Sequence, residues 1–154
     1  MRCGLRLGMK DFSMTTGDGR EDNASESPLV SIVDDDASVR RSTRRLLRCS
    51  ALRAEAYASA DEFLQSGRMA ETDCLLLDLS MPGMNGLELQ RRLSEIDWPV
   101  PIIFLSGRAN GEEERRALQA GAARFLRKPV GKETLLRAIR AAIEARRKQS
   151  EDTM

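Results

Sequence analysis

The chain has 154 residues, of which 41% are hydrophobic and 32% charged, and its 25 basic side chains nearly balance its 24 acidic ones. This length fits one domain, and the near-neutral net charge gives no overall field that would attract nucleic acid or an anionic membrane. The sequence contains no histidine, which excludes histidine-based catalysis, and no apolar run reaches the ~20 residues of a membrane-spanning helix, so we expect a cytoplasmic protein.

The N-terminal segment, residues 1–27, predicts a disordered tail. Its second half, TTGDGREDNASES, is small, polar and charged, so it cannot bury enough apolar surface to offset chain entropy. Met9 and Met14 are alternative start residues, in which case part of this tail would not belong to the protein. The predicted domain spans residues 28–148, and residues 149–154 are predicted to form a short C-terminal tail.

From residue 28 onward, strand patterns alternate with helical patterns. Short apolar runs bounded by polar turns predict strands, and apolar residues at spacings of three and four predict helix faces. The predicted strands cover residues 29–33, 52–57, 74–77, 100–105 and 122–126. The predicted helices cover residues 37–49, 61–65, a segment with Leu89, Leu93 and Ile96 on its inner face, 111–120 and 132–148.

This alternation predicts an α/β protein with a doubly wound, five-stranded parallel sheet. Parallel strands need crossover connections, and right-handed crossovers place a helix between neighbouring strands. The runs at 74–77 and 100–105 are almost continuously apolar, which is typical of strands buried on both faces. The runs at 52–57 and 122–126 are less apolar and fit the two edges, which agrees with the strand order 2-1-3-4-5 that is already known for one common class of doubly wound sheets.

Polar and charged residues follow four of these strands. Asp34 and Asp35 follow the first strand, and Asp78 ends the third. Ser106 follows the fourth strand, and Lys128 follows the fifth. Open parallel sheets bind ligands at this carboxyl edge, so these residues can converge. Carboxylates in one crevice repel one another unless a cation lies among them, and their oxygens favour a hard divalent ion, with Mg²⁺ as the first candidate.

Together these residues predict an aspartate that carries a phosphoryl group. Bound Mg²⁺ keeps coordination positions open for phosphate oxygens, and Asp78 can act as a carboxylate nucleophile that forms an acyl phosphate. Lys128 and Ser106 can donate to the phosphoryl oxygens. Taken singly, the residues have ordinary explanations, such as helix capping by an aspartate run or a turn at Ser106. Their joint occurrence at strand ends favours the phosphoryl site.

Over residues 28 to about 146, the chain resembles the receiver domains of two-component response regulators. The resemblance rests on the acidic pair Asp34-Asp35, on Asp78 followed by Met81-Pro82 and Gly86, and on Lys128-Pro129. It implies the flavodoxin-like doubly wound fold of receivers. It also implies that Asp78 accepts a phosphoryl group from a partner histidine kinase and that the protein is a signalling switch rather than an enzyme.

The same resemblance implies roles for the neighbouring residues. Mg²⁺ would be held by Asp34, Asp35, Asp78 and the backbone carbonyl of Ser80. Asp36 would cap the helix that follows. Switching would involve Ser106 and Phe125, the latter matching an aromatic residue that changes rotamer on activation. The Lys128-Pro129 bond is expected to be cis.

The predicted output differs from that of the regulators the chain resembles most. Segments such as Leu105-Ser106-Gly107 look like the nitrogen-fixation type of regulator, which normally carries a helix-turn-helix domain. Only six residues follow Lys148, so we expect no DNA binding by this chain. Output would pass to a partner protein or a second copy through 111–120, 122–126 and 132–148. The charged 111–120 helix predicts a weak, salt-sensitive contact and a monomer before phosphorylation.

Three other interpretations remain open at this stage. A phosphatase or phosphotransferase of haloacid-dehalogenase type needs a second acid two residues after its nucleophile, where this chain has Ser80. A flavodoxin-like FMN-binding protein would need small polar residues after the first strand, where three aspartates would repel the phosphate. A receiver used purely as a scaffold would not need the complete set of site residues.

Overall fold

A five-stranded parallel sheet with helices on both faces forms the centre of the computed structural model, which describes residues 27–153. The strands are β1 (Leu29–Val33), β2 (Arg53–Tyr57), β3 (Cys74–Asp78), β4 (Ile102–Ser106) and β5 (Arg124–Arg127). The helices are α1 (Ala37–Cys49), α2 (Ala60–Gln65), α3 (Gly86–Glu95), α4 (Gly111–Gln119) and α5 (Lys132–Thr153), with a 3-10 turn at Met69–Glu71. The strand order 2-1-3-4-5 confirms the predicted topology.

The polarity of each strand agrees with its place in the sheet. Every residue of β1, β3 and β4 is buried, because helices cover both faces of the central strands. The edge strand β5 buries only Leu126 fully and leaves Arg124 and Arg127 exposed. It begins two residues later than predicted, since Ala122 and Ala123 still belong to the turn after α4. The predicted edge and central strands are confirmed.

Two apolar layers hold the helices against the sheet. One face packs against α1 and α5, where Leu47 and Ile139 are fully buried. The other face packs against α2, α3 and α4, where Phe63, Leu89 and Ala117 are fully buried. Complete burial of a large apolar side chain contributes about 1.5–3 kcal/mol. The two layers fix the strands and leave the carboxyl edge of the sheet open between them.

The C-terminal helix is longer than the sequence predicts. It continues to Thr153, through most of the segment 149–154 that was expected to be a tail. Residues 132–153 contain neither glycine nor proline, so nothing in them stops a helix. Among the described helices none, α5 included, has the length and apolar character needed to cross a membrane.

The N-terminal prediction falls almost entirely outside the described residues, which begin at Ser27. Ser27 itself is joined to the fold, because its backbone carbonyl accepts a hydrogen bond of 2.8 Å from Arg53 Nε.

The prediction that Ile96 lies on the inner face of α3 is wrong. Its side chain is 61% exposed. The helix ends at Glu95, and Asp97 adopts a positive φ of 55°, so the chain turns away before Ile96 reaches the core. Trp98 packs there instead, edge to face against Phe63 with ring centroids 5.8 Å apart. Apolar spacing alone did not show where the helix ends.

Gly86 sets how closely α3 approaches β3. It is the first residue of α3, after the capping residue Asn85. A Cβ atom at Gly86 would lie 2.5 Å from the backbone oxygen of Asp78. Gly111 has the same place in α4, after Asn110, and a Cβ there would meet nothing within 4 Å. The two glycines form a matched pair with different surroundings.

We expect Gly86→Ala to lower the free energy of unfolding by about 1–3 kcal/mol, because α3 or the end of β3 must shift to admit the methyl group. Gly111→Ala is the control and should leave stability unchanged or raise it by about 0.5–1 kcal/mol, since alanine is the better helix former. Urea denaturation measures both changes. Equal stability of the two variants would contradict the close packing of α3 on β3.

Candidate functional site

The carboxyl ends of β1 and β3 bring three aspartates together. Asp34 and Asp35 follow β1, and Asp78 is the last residue of the adjacent strand β3. Carboxylate oxygens of the three residues lie within 4.8 Å of one another. Asp34 and Asp78 are buried, with 2% and 7% exposure, whereas Asp35 is exposed. The cluster therefore has a buried base and one side open to solvent.

Lys128 reaches this cluster from the end of β5. Its Nζ donates to Asp34 Oδ2 at 2.8 Å and lies 3.6 Å from Asp78 Oδ1. Its backbone N–H donates to the carbonyl oxygen of Ser106 at 2.8 Å, which attaches it to the end of β4. The Lys128-Pro129 peptide bond is cis. One ammonium group therefore faces two of the three carboxylates.

Local hydrogen bonds orient the acidic loop after β1. The backbone N–H of Asp36 donates to Asp34 Oδ1 at 2.9 Å, and Arg40 Nη1 donates to the Asp34 carbonyl oxygen at 2.7 Å. The Asp36 carboxylate caps α1 by accepting from the backbone N–H groups of Val39 and Ser38, and these bonds lower its pKa. The structure confirms that Asp36 caps α1, whereas Asp34 faces the cluster.

Burial and like charge alter the protonation of Asp78. Its pKa is raised to about 6, first because the carboxyl group is buried and then because Asp34 carries the same charge. Lys128 and a hydrogen bond from the Ser80 backbone N–H act in the opposite direction. Burial also disfavours the charged form of Lys128, but the hydrogen bond to Asp34 and the charge of Asp78 raise the pKa of Lys128 overall. The lysine is therefore charged in the pH range near 6 where Asp78 gains or loses its proton.

Ser80 is exposed, and its backbone N–H donates to the Asp78 carboxylate. It lines a groove of about 410 Å³ whose walls include Met81, Asn85 and Glu113. This groove opens between α3 and the first turn of α4. The role predicted for the Ser80 carbonyl as a metal ligand stays a prediction.

Ser106 and Phe125 lie on the neighbouring strands. Ser106 is buried, and its Oγ accepts hydrogen bonds from the backbone N–H groups of Arg108 and Ala109 at 3.3 and 3.1 Å. Phe125 is half-buried and stacks on Phe104, with ring centroids 5.8 Å apart. The structure therefore places Ser106 in contact with the loop after β4, and Phe125 against the core of the sheet.

Two arginines near the site, Arg40 and Arg127, were not predicted from the sequence to have a role there. Arg40 binds the backbone beside Asp34, and Arg127 joins the loop after β4 to Glu114 of α4. An arginine on an amphipathic helix or an edge strand gives no particular signal, because most such residues are solvated.

Comparison with known proteins agrees with this geometry. The family model of the response regulator receiver domain matches residues 30–140. The chain belongs to this family. Nodulation protein W of Bradyrhizobium diazoefficiens is 41% identical to it over 135 residues, which cover 88% of this chain and 60% of that protein. The response regulator protein TmoT of Ectopseudomonas mendocina is 38% identical over 134 residues, which cover 87% of this chain and 61% of that protein.

A solved receiver structure is similar to this chain in both sequence and fold. The response regulator receiver protein of Burkholderia phymatum is 42% identical, with a TM-score of 0.68, and the match covers 77% of this chain and 96% of that one. Receiver domains are phosphorylated on an aspartate in two-component signalling, generally pair with histidine kinases and bind Mg²⁺ at an acidic pocket. This receiver chain spans about 60% of the length of the curated relatives it matches.

The raised pKa of Asp78 makes the stability of this receiver depend on pH. Because the folded-state pKa of about 6 exceeds the ordinary value of 3.8, the folded chain binds more protons than the unfolded chain between these values. The free energy of unfolding should therefore fall as the pH rises from about 4 to about 6.

In metal-free buffer above pH 7, we expect Asp78→Asn to be more stable than the parent by roughly 1–3 kcal/mol, and this gain to shrink towards pH 4. Urea denaturation in EDTA at several pH values measures the difference. Asp152→Asn, at an exposed position near the end of α5, is the control and should not show this gain. A gain for Asp78→Asn that is the same at every pH would rule out this electrostatic cause.

Proposed function

We propose that Asp78 is the phosphoacceptor of this receiver domain and that a partner histidine kinase supplies the phosphoryl group in a Mg²⁺-dependent reaction. The observation that carries the proposal is the site itself. Three carboxylates lie within 4.8 Å of one another, and the Lys128 ammonium group lies 2.8 Å from one of them and 3.6 Å from another.

Asp78 is the carboxylate best suited to attack phosphorus. Asp34 is engaged by the Lys128 ammonium group and by the Asp36 backbone, whereas Asp78 Oδ1 lies beyond normal hydrogen-bond distance of Lys128 Nζ. In the transfer, an Asp78 oxygen forms a bond to phosphorus while the bond between phosphorus and the kinase histidine nitrogen breaks. The leaving imidazole takes up a proton. None of the 154 residues is a histidine, so the donor group lies outside this sequence.

The acidic cluster fits Mg²⁺. Its carboxylate oxygens lie within 4.8 Å of one another and Asp35 is open to solvent, so these residues could hold a hard divalent ion that keeps some of its waters. We assign the ligands to Asp34, Asp35, Asp78 and the Ser80 carbonyl. When bound, the ion would supply positive charge for the carboxylates and for the oxygens of the incoming phosphoryl group.

Lys128 and Ser106 are proposed to respond to phosphorylation. A phosphoryl group brings additional negative charge and three strong acceptor oxygens to Asp78. Lys128 Nζ is already 3.6 Å from this side chain, and Ser106 ends the strand beside β3. Rotation of the Ser106 hydroxyl towards the phosphoryl group would release the loop after β4 and give Phe125 room to change rotamer. Such a switch shifts populations between two states.

The proposed output surface consists of α4, β5 and α5. On α4, Glu112 pairs with Arg115 and Arg116, and Leu118 is a large exposed apolar side chain. Charged surfaces of this kind give salt-sensitive contacts. We propose that this surface binds a downstream protein or a second copy of the chain after phosphorylation.

Asp78→Asn should abolish the phosphoryl mass increase that follows incubation with Mg²⁺ and acetyl phosphate, because the amide is not a nucleophile of this kind. Asp36→Asn is the control, since asparagine also caps helices and position 36 faces α1 rather than the cluster. Intact-mass spectrometry measures the labelling. Labelling of Asp78→Asn at the parental rate and stoichiometry would move the phosphoacceptor elsewhere.

Asp34→Asn and Asp35→Asn should each weaken Mg²⁺ binding roughly tenfold or more, because each change removes anionic oxygens from a small, strongly hydrated ion. Asp36→Asn should bind Mg²⁺ as the parent does. Isothermal titration calorimetry gives the affinities, and the rise of Tm with Mg²⁺ concentration gives an independent check. Parental affinity in both cluster variants would show that the ion binds at another place.

A further inference from the structure

We propose that Arg127 is a positioning residue that holds residues 107–110, the β4–α4 loop, in the resting arrangement and thereby restrains the movement of Ser106. This inference rests on the proposed phosphorylation of Asp78. The contacts that support it join β5, the loop and α4.

The guanidinium group of Arg127 links the loop to the next helix. Arg127 pairs with Ser106 in the register of β5 against β4. Its Nη1 donates to the carbonyl oxygen of Ala109 at 2.7 Å, and its Nη2 donates to Glu114 Oε1 at 2.7 Å. Both bonds are short, and the planar guanidinium makes them from two different nitrogens. One side chain therefore fixes the loop relative to the first turns of α4.

The same loop binds the hydroxyl group that is proposed to move. The N–H of Ala109 donates to Ser106 Oγ at 3.1 Å, while the carbonyl of Ala109 accepts from Arg127. Ala109 is thus held on both sides, by Ser106 and by Arg127. If Ser106 turns towards a phosphoryl group on Asp78, its hydroxyl must leave this loop or take the loop with it. Because Arg127 binds the carbonyl of Ala109, it opposes movement of the loop together with Ser106. It also keeps the N–H of Ala109 in position to bind the Ser106 hydroxyl.

Arg127 also contacts the aromatic residue of the proposed switch. Its guanidinium carbon lies 5.8 Å from the centroid of the Phe125 ring, within the range of a cation–π contact. The same ring stacks on Phe104, with ring centroids 5.8 Å apart. One arginine therefore touches both parts that are proposed to move, the loop bound to Ser106 and the ring of Phe125.

The restraint is weak enough to be reversible. The Arg127 and Glu114 side chains are 51% and 34% exposed, so water and salt screen their ion pair. Loss of this ion pair together with the hydrogen bond to Ala109 would change the ratio of two conformations by about two- to tenfold. A change of that size alters the populations of the two loop conformations and leaves both of them accessible.

The test uses Arg127→Met, which retains much of the side-chain length and removes every donor. Hydrogen exchange followed by NMR should show the backbone amides of Arg108 and Ala109 exchanging about two- to tenfold faster, with amides of β3 unchanged. The initial rate of phosphorylation by acetyl phosphate with Mg²⁺ should rise by a similar factor. Arg127→Lys should give intermediate values, because one ammonium group cannot reproduce both bonds in the same geometry.

Matched variants separate this contact from a general change of charge. Glu114→Gln should act in the same direction as Arg127→Met but less strongly, since the Ala109 bond remains. Glu95→Gln is the control, because it removes a charge of the same sign from an exposed position at the end of α3, outside the loop, α4 and β5. It should leave both rates as in the parent.

Parental exchange at Arg108 and Ala109 in Arg127→Met would overturn the proposal. Faster exchange with an unchanged or slower phosphorylation rate would also overturn it, by reducing Arg127 to a purely structural role. Hydrogen exchange requires no phosphorylation. Absence of labelling in the parent would therefore count against the function of Asp78, while the exchange rates would still decide whether Arg127 holds the loop.

Discussion

The ion pair between Lys128 and Asp34 joins residues 94 positions apart and opposes the charge of the acidic site. Two like charges 4 Å apart repel by about 4 kcal/mol at an effective dielectric constant of 20, so three carboxylates within 4.8 Å would strain the fold without compensation. The ammonium group offsets part of this repulsion. Burial, together with the remaining repulsion from Asp34, raises the pKa of Asp78 to about 6. The sheet maintains this balance by keeping the ends of β1, β3 and β5 at one edge.

The aspartates of the cluster and of the adjoining cap differ because their surroundings differ. Asp34 is buried and oriented by hydrogen bonds, Asp36 is occupied by the cap of α1, and Asp35 faces solvent. Asp78 is buried and its partner cation, Lys128 Nζ, lies 3.6 Å from Oδ1, so its ionised form stays costly until a further cation binds. These different surroundings suit chemically identical side chains to the observed cap and to the proposed roles of metal ligand and nucleophile.

The contacts around Ser106 connect the acidic site to the exposed surface of α4. From the end of β4, hydrogen bonds lead through Ala109 to Arg127 and on to Glu114 of α4. Each step is a single hydrogen bond or a partly exposed ion pair, so the energy that separates two arrangements of this region is small. Phosphorylation of a single side chain can therefore supply enough energy to change which of the two arrangements is favoured. The deeper apolar layers on both sides of the sheet would give the proposed switch a rigid frame.

The pattern of apolar runs determined the α/β class, the two edge strands and the set of residues at the carboxyl edge, because alternation and strand ends are local properties. The full strand order also depended on the order known for doubly wound sheets. Helix ends were less well determined. The helix α5 continues to Thr153, beyond its predicted end. Ile96 is exposed because α3 ends before it, and Trp98 packs on Phe63 in its place. The tertiary structure alone decided the burial of Asp78, the reach of Lys128 and the contacts of Arg127. These depend on distances between segments far apart in sequence, which no local pattern records.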